Sequence, residues 1–327
     1  MKKSGFEVQM LAAESLGVRS MATVVRTPDV RIVIDAGVAL GPRFGLAPHP
    51  SEYRALADSR ERIRKACSQA EISIITHYHH DHYSPPFDSD YIWTWSDIKV
   101  AEELYKDKTM LIKDTREHIN PSQRMRAYHF TKFLRATSKE MRIADGATYE
   151  FGDTRVSFSK PVPHGEEGTR LGYVIMPKIT WEDRSFLFAS DVQGPMADRT
   201  RITIMEVGAN TLYVGGPPAY LAPSQVDSRL IDKGLQNLTM IASRTPVTVV
   251  DHHLMRTGEW KEIISGVDEA ARASNNALFT AAGYLGERET ALEAKRDQLY
   301  KESPPSREFI AWTRKRYEER RAEPPPI

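Results

Sequence analysis

The sequence predicts an α/β protein, arranged as a four-layer αβ/βα sandwich. Short apolar runs rich in β-branched residues occur in the first third of the chain and return in residues 154–250. Stretches with helical spacing follow the strands in each half, so two sheets, each covered by helices, account for the pattern. We predict one domain over residues 1–327, with an insert at 83–142 and a helical C-terminal extension at 256–327.

The first half begins with short strands. Three apolar runs separated by turn-forming segments are predicted as strands: residues 6–13, 21–27 and 30–37. Residues 51–70 have helical spacing, and Ser51 is the predicted N-cap. The run "EISIIT" at 71–76 is β-rich and too short for a helix, so it is predicted as a buried strand.

The second half returns to the same pattern. Five more runs are predicted as strands: residues 154–160, 170–179, 184–190, 211–216 and 245–250. A helix is predicted at 225–243, between the last two strands. Prolines, aromatic residues and charges break the rhythm in 83–142, which is why that range is treated as an insert. Residues 306–323 are predicted as an amphipathic helix that covers the core or a partner subunit.

Composition and charge restrict the class of protein. Hydrophobic residues make up 40% of the chain and charged residues 27%, as in an ordinary globular protein. The 45 Lys and Arg nearly balance the 44 Asp and Glu, so no overall charge directs the chain to nucleic acid or membrane. Cys67 is the only cysteine, which excludes an intrachain disulfide and a cysteine-based zinc site. No apolar stretch has membrane-spanning length, and we expect a cytoplasmic protein without a membrane partner.

Four histidines and an aspartate follow the predicted strand at 71–76, in "EISIITHYHHDHYSPP". Side chains alternate along an extended chain, so His77 and His79 project to the same side and can reach one metal ion. Asp81 and His82 are adjacent and, as the chain turns, can point to a neighbouring position. A solvated loop and a structural zinc site are the alternatives, but the spacing favours a catalytic metal site.

"HYHHDH" resembles the His-x-His-x-Asp-His signature of the metallo-β-lactamase superfamily. Four further segments resemble elements of that superfamily in the expected order: "VRIVIDAG", "PVPHGEEGTRLGYVI", "RSFLFASDVQGP" and "VTVVDHHLMR". The resemblance covers roughly residues 6–255. The chain is also similar to a mainly archaeal branch of the superfamily, especially at "ESLGVRSMAT" and "DHHLMR".

The resemblance implies two divalent metal ions, with zinc as the first choice and manganese or iron(II) also compatible with nitrogen and oxygen ligands. By resemblance, the first ion is held by His77, His79 and His164, the second by Asp81, His82 and a late histidine, and Asp191 bridges both. His252 is favoured as the late histidine because it lies just past a predicted strand, with His253 as the alternative. Asp81 is the predicted catalytic residue, placed to orient a metal-bridging hydroxide or manage its proton.

Three further residues are candidates for support or for substrate contact. Asp35 is expected to hydrogen-bond a ligand imidazole and fix its tautomer. His253, if it is not a ligand, would support one or touch substrate. Arg19 is a candidate phosphate contact. His80 and His49 are not expected to be ligands.

The substrate is predicted from charge. Residues 106–142 hold ten Lys and Arg against four Asp and Glu, either as an exposed helix face or as a wall that attracts an anionic substrate. The leading hypothesis is a hydrolase of a phosphodiester, in RNA, a nucleotide or another small molecule, although the sequence has no recognisable KH, RRM or DNA-binding module. The alternatives are a lactonase or an ester or thioester hydrolase, a non-haem iron redox enzyme and a non-catalytic scaffold.

Overall fold

A computed structural model describes residues 5–91, 93–221 and 225–327. Within these ranges, one sheet has six strands, hydrogen-bonded in chain order: β1 (Glu7–Met10), β2 (Thr23–Arg26), β3 (Arg31–Ile34), β4 (Ile72–Ile75), β5 (Thr109–Ile112) and β6 (Glu140–Ile143). Strand β2 pairs antiparallel with β1 and with β3, and β3 to β6 run parallel. The parallel strands therefore end at a common edge.

The other strands belong to the second half. In the described parts of the chain they are β7 (Thr148–Phe151), β8 (Thr154–Phe158), β9 (Val162–Pro163), β10 (Tyr173–Val174), β11 (Pro177–Trp181), β12 (Arg184–Ser190), β13 (Thr211–Gly215), β14 (Val247–Asp251) and β15 (Ala277–Phe279). Seven of them form a sheet in the order β15-β14-β13-β12-β11-β8-β7, in which β12 to β15 are parallel. Strands β9 and β10 pair with each other.

The helices cover the outer faces of the two sheets. In chain order the described α-helices are α1 (Pro50–Cys67), α2 (Ile98–Tyr105), α3 (Pro121–Thr137), α4 (Asp198–Val207), α5 (Ser228–Ala242), α6 (Trp260–Ala273), α7 (Ala281–Leu285), α8 (Arg296–Glu302), α9 (Arg307–Thr313) and α10 (Tyr317–Ala322). None of the helices in the described ranges is long and apolar enough to cross a lipid bilayer.

Three buried apolar clusters hold the layers together. The central cluster joins the sheets through side chains from both: Ile32, Ile34, Ile74, Phe186, Phe188 and Tyr213. A second cluster packs the first sheet against α1, α2, α3 and α9, and a third packs the second sheet against α4, α5 and α6. Helix, sheet, sheet and helix therefore form four layers, and the predicted four-layer sandwich is confirmed.

Several predicted boundaries need correction. The predicted insert, 83–142, contains β5 and all but the last residue of β6, so it supplies two strands of the first sheet. The C-terminal extension, 256–327, contains the edge strand β15 as well as helices. The predicted strand 170–179 is split into β10 and β11, because Ile175 turns away to donate its N–H to the carbonyl of Thr76. The predicted tail helix is split into α9 and α10.

Helix α1 is capped by His49 rather than by Ser51. The His49 side chain accepts a hydrogen bond from the Ser51 N–H, and Pro50 occupies the first helical turn, where its missing N–H has no cost. The Glu52 carboxylate in turn accepts the His49 N–H, so the helix begins with a capping box. The place of His49 at the start of the helix explains its burial.

A buried ion pair joins the C-terminal segment to α1. The Arg296 guanidinium donates two hydrogen bonds of 2.7 Å to the Glu52 carboxylate and a third, also 2.7 Å, to the carbonyl of Gly41. Neither side chain is more than 1% exposed. The pair fixes α8 against the loop that follows β3.

Replacing Arg296 with methionine should lower the free energy of unfolding by about 3–5 kcal/mol, because Glu52 would be left buried and unpaired. Urea unfolding followed by circular dichroism measures the change. The control is Arg229→Met, because Arg229 pairs with Asp227 at the surface and its side chain is 87% exposed. The control should unfold at the wild-type urea concentration. Equal midpoints for Arg296→Met and the wild type would contradict this role of the ion pair.

Candidate metal centre

The predicted site residues follow the carboxyl ends of strands from both sheets. Asp35 follows β3, His77 comes two residues after β4, Asp191 follows β12 and His252 follows β14. Asp35 and His252 have positive φ angles of 52° and 64°, and Ser190, the last residue of β12, has one of 60°. This backbone conformation is uncommon for residues other than glycine and costs about 1–3 kcal/mol each time. The chain changes direction at these positions, at the edge where the strands of the two sheets end.

The first donor group consists of His77, His79, His164 and Asp191. One nitrogen or oxygen from each lies within 4.8 Å of the others. The Nδ1 atom of His79 is 3.2 Å from Nε2 of His77 and 3.1 Å from Nε2 of His164. The same His164 atom is 3.1 Å from Oδ2 of Asp191. The donor atoms of residues separated by up to 114 positions in the chain therefore converge on one position.

The second donor group consists of Asp81, His82 and His252, whose donor atoms also lie within 4.8 Å of one another. Nε2 of His252 is 3.7 Å from Oδ2 of Asp81 and 3.3 Å from Oδ2 of Asp191. Asp191 is therefore adjacent to both groups, as the bridging position requires.

The spacing and chemistry of these atoms fit a metal ion. Four tetrahedral ligands at about 2.0–2.1 Å from zinc lie roughly 3.3–3.4 Å apart, close to the separations in the first group. Nε2 of His82 and Oδ1 of Asp191 are buried and have no hydrogen-bond partner among the described residues. Leaving such atoms unpaired is costly, and a bound cation would satisfy both. Imidazole and carboxylate donors without thiolate suit zinc, manganese and iron(II).

Asp35 has the supporting geometry that was predicted for it. Its Oδ2 atom lies 2.7 Å from Nδ1 of His82, which must carry the proton to donate to a carboxylate. The lone pair of the His82 Nε2 atom is therefore directed into the second group. Asp35 also accepts hydrogen bonds from the backbone and hydroxyl of Thr76, at 2.8 and 2.6 Å. The Thr76 hydroxyl oxygen in turn lies 3.2 Å from Nδ1 of His77. The Nε2 atom of His77 therefore stays available as a donor in the first group.

Glu14 faces His252 much as Asp35 faces His82, although the contact has the distance of an ion pair without the geometry of a hydrogen bond. Its Oε2 atom lies 2.8 Å from Nδ1 of His252, and its Oε1 atom lies 2.5 Å from both Nε and Nη2 of Arg256. Burial opposes ionisation of Glu14, but the Arg256 guanidinium and the His252 imidazole lower the pKa of its carboxyl. The sequence does not predict this role. The available signal is a single carboxylate within the otherwise apolar and small run "LAAESLG".

We expect Glu14→Gln to weaken binding of the second metal ion by about 10–100-fold, because the amide cannot hold the His252 tautomer as a carboxylate does. Competition with a fluorescent zinc chelator measures the affinity of each site. Glu7→Gln, which changes an exposed carboxylate on β1, is the matched control and should leave both affinities unchanged. Unchanged second-site affinity in Glu14→Gln would contradict this supporting role.

His253 contacts the bridging carboxylate from the outside. Its Nε2 atom is 3.1 Å from Oδ2 of Asp191, and its Nδ1 atom is 3.2 Å from the Tyr220 hydroxyl. Tyr220 in turn accepts a hydrogen bond of 3.1 Å from Arg256. Arg256, Tyr220 and His253 therefore form a chain of hydrogen bonds that ends on Asp191. His252 contributes to the second donor group, whereas the His253 donor atom lies within 4.8 Å of those of His252 and Asp191 but is not grouped with Asp81 and His82. His252 as the late ligand stays a prediction.

Burial and mutual proximity set the protonation of the cluster. Burial, together with the neighbouring imidazoles, lowers the pKa of His77 and of His79 well below the usual range. Burial opposes ionisation of Asp191, yet His164, His253 and His252 hold the pKa of its carboxyl well below the usual range. Neutral imidazoles and an ionised carboxylate are the forms that bind metal ions. In the second group, burial opposes protonation, but Asp35 raises the pKa of His82, and Glu14 and Asp191 raise the pKa of His252, so a metal ion would have to displace protons there.

Arg19 has a partner of its own. Its Nε and Nη2 atoms bind the two carboxylate oxygens of Glu293 at 2.6 and 2.7 Å. This bidentate pair compensates the charge that a phosphate contact would use, so the structure does not support the predicted role of Arg19. His80 lies outside both donor groups and packs against Tyr83 and Phe87.

The positive charges of residues 106–142 are dispersed. Lys108 donates to carbonyl groups at the C-terminal end of α1, Lys113 pairs with Asp145, and Arg142 pairs with Glu140. In the described part of this range, Arg126 on α3 is the basic residue that lines the cavity beside Asp81. No carboxylate of the described residues lies within 4 Å of its guanidinium. Of the expected wall of positive charge, Arg126 is therefore the residue of 106–142 that faces this cavity.

That cavity, termed the Arg126 cavity, has a volume of about 350 Å³. Its lining includes His79 and Asp81 from the donor groups, together with Arg126, Arg19 and Trp93. The cavity is therefore continuous with the donor groups through His79 and Asp81.

No family model matches the chain. A UPF0282 protein of Methanopyrus kandleri is 41% identical over 290 residues, which cover 88% of this chain and 97% of the relative. The chain belongs to the UPF0282 family. A second member, from Pyrococcus horikoshii, is 40% identical over 293 residues, which cover 89% of this chain and 92% of that protein. The predicted similarity to a mainly archaeal branch is confirmed.

Solved structures with low sequence identity share the fold of this UPF0282 protein. YhfI from Bacillus subtilis, described as a metallo-β-lactamase fold protein, has a TM-score of 0.47 and 12% identity over 85% of this chain and 96% of YhfI. CmlA, a di-iron β-hydroxylase from Streptomyces venezuelae, has a TM-score of 0.50 and 12% identity over 86% of this chain and 53% of CmlA. The similarity to CmlA and the four layers described above confirm the predicted fold class, an α/β four-layer sandwich.

Proposed function

We propose that this UPF0282 protein is a dinuclear metal-dependent hydrolase that acts on a phosphodiester in RNA or a nucleotide. The observation that carries the proposal is the position of Asp191 between two groups of nitrogen and oxygen donors. Two cations bound at these neighbouring groups would repel each other, and a carboxylate shared between them offsets that repulsion.

The two donor groups support the following assignment of ligands. His77, His79 and His164 would hold one ion, Asp81, His82 and His252 would hold the other, and Asp191 would contact both. When bound, two such ions supply a water molecule of lowered pKa and polarise the oxygen of the group under attack. Zinc is the first candidate for the metal.

Asp81 is the chain's own group best placed to orient the attacking water. It lines the Arg126 cavity, while its Oδ2 atom faces His252 at 3.7 Å. Burial opposes ionisation of Asp81, but His82 and His252 hold the pKa of its carboxyl well below the usual range. The carboxylate is therefore an acceptor at neutral pH, able to hold a water by its hydrogen and aim the oxygen at the substrate.

Arg126 supports a phosphodiester substrate over a lactone or ester. It lines the same cavity as Asp81, and its charge is not compensated by any carboxylate of the described residues within 4 Å. A phosphodiester keeps a negative charge that this guanidinium can bind, whereas a lactone or an ester is neutral. Two adjacent cations also suit in-line displacement at phosphorus.

A substrate screen tests the proposal. The purified protein, loaded in turn with zinc, manganese and iron(II), is assayed with bis(4-nitrophenyl) phosphate, single-stranded RNA, an acyl-homoserine lactone and a thioester. We expect metal-dependent hydrolysis of the phosphodiesters. Turnover of the lactone or the thioester alone would assign the same donor groups to carbonyl chemistry, and hydrolysis that persists after metal removal would contradict the proposal.

A further inference from the structure

A second, aromatic cavity adjoins the Arg126 cavity. It has a volume of about 180 Å³, and its lining includes Tyr83, Phe87, Met125 and Phe130. His80 and Arg126 line both cavities, so they stand where the two meet. A ligand held at the donor groups could therefore pass Arg126 and place its far end among aromatic rings.

The aromatic cavity has an apolar rim that is open to solvent. The Phe87 side chain is 44% exposed although it packs against His80, at 5.8 Å between ring centroids. Met125 on α3 is also exposed. Single exposed apolar residues are common, but here they border a cavity that leads to a polar site. This arrangement is typical of a ligand pocket with an apolar wall and a few polar groups.

Two polar groups favour a planar, hydrogen-bonding ligand over a hydrocarbon chain. The Nε2 atom of His80 is buried and has no hydrogen-bond partner in the part of the chain that the structure describes. Arg126 donates to the carbonyl of Tyr78 at 3.3 Å, which leaves most of its N–H groups for a ligand. A nucleobase presents polar edges to such groups and a flat face to aromatic rings, whereas an alkyl chain would leave the polar atoms unsatisfied.

We infer that the two cavities form a subsite for a nucleoside monophosphate unit, with the phosphate at Arg126 and the base in the aromatic cavity. This inference rests on the proposed function, because the phosphate belongs to the substrate of the same donor groups. It narrows the substrate class from phosphodiesters in general to those that carry a nucleobase.

Binding to the zinc-loaded protein, measured by isothermal titration calorimetry, tests the inference without any turnover. The probes are adenosine 5′-monophosphate, ribose 5-phosphate, which lacks the base, and hexyl phosphate, which replaces the base by an alkyl chain. We expect adenosine 5′-monophosphate to bind at least about tenfold more tightly than either of the others. Equal affinity for adenosine 5′-monophosphate and ribose 5-phosphate, or tighter binding of hexyl phosphate, would overturn the inference.

Two variants locate the subsite. Arg126→Gln should weaken the binding of adenosine 5′-monophosphate and of ribose 5-phosphate by about tenfold each, because both lose a charged hydrogen bond. Phe87→Ala should weaken only adenosine 5′-monophosphate, by about tenfold. The controls are Arg135→Gln, on the same helix as Arg126, and Phe44→Ala, another exposed phenylalanine; neither residue lines the two cavities. Wild-type binding in both test variants would contradict the placement.

The failure of this inference can be told apart from the failure of the proposed function. If phosphodiesters are hydrolysed but the base makes no difference to binding, the function stands and the subsite does not. If the base-dependent binding is found without phosphodiester hydrolysis, the subsite stands and the proposed reaction fails.

Discussion

Asp191→Ala should lower kcat/KM for a phosphodiester by at least about 10⁴-fold, because no other carboxylate of the described residues lies between the two donor groups to offset the repulsion between two cations. The same variant should bind no more than one zinc ion per chain, as measured by elemental analysis after dialysis. Asp191 accepts contacts from His164, His252 and His253, so all three imidazoles lose their common acceptor in this variant.

Two further variants separate loss of the bridge from loss of the fold. Asp191→Asn keeps the shape of the side chain but not its charge, and should show a similar loss of the second zinc ion. Asp183→Ala, in the exposed turn between β11 and β12, should keep wild-type activity and metal content. Retention of two zinc ions in Asp191→Ala, with activity within tenfold of the wild type, would show that Asp191 is not the bridge.

His252→Ala should lower bound zinc from two ions to one and reduce kcat/KM by about 10³-fold, because it removes a direct donor of the second group. His253→Ala should keep two zinc ions and lose only about 10–100-fold, because His253 acts through Asp191. The two residues are adjacent and carry the same side chain, so each variant is the control for the other. The reverse pattern would make His253 the ligand and His252 its support.

The central part of the site is predictable because it is local in the sequence. His77, His79, Asp81 and His82 are brought together by one strand end, and alternation of side chains already places two imidazoles on one side. His164, Asp191 and His252 are far apart in the chain, and the resemblance to the superfamily was needed to group them. The structure brings all of these side chains together, and their roles as ligands stay predictions until metal is measured.

Apart from Asp35 and His253, the supporting residues could not be predicted, because most of them act across a long separation in the sequence. Glu14 reaches Arg256 over 242 positions, and neither residue stands in a pattern that signals metal binding. Tyr220 and Thr76 each act through one hydroxyl group. A single residue of this kind produces no repeating pattern in the sequence. The pairing of Arg19 with Glu293 could not be predicted either, because Glu293 lies 274 residues away.

Strands β5 and β15 were not predicted from the sequence, because they are short and lie in polar surroundings. Strand β5 has four residues, Thr109–Ile112, between lysines and aspartates, and β15 has three. Both are held by parallel neighbours in their sheets, so tertiary pairing decides their conformation rather than local pattern. The longer runs, such as β12, were predicted from their apolar residues alone.

The most direct test is an anomalous difference map, recorded at the zinc absorption edge, from crystals of the zinc-loaded protein. Two peaks about 3.5–4 Å apart are expected, one among His77, His79 and His164 and the other among Asp81, His82 and His252, with Asp191 between them. A map without peaks at these residues, or with zinc bound only elsewhere on the chain, would contradict the dinuclear centre and the hydrolytic function built on it.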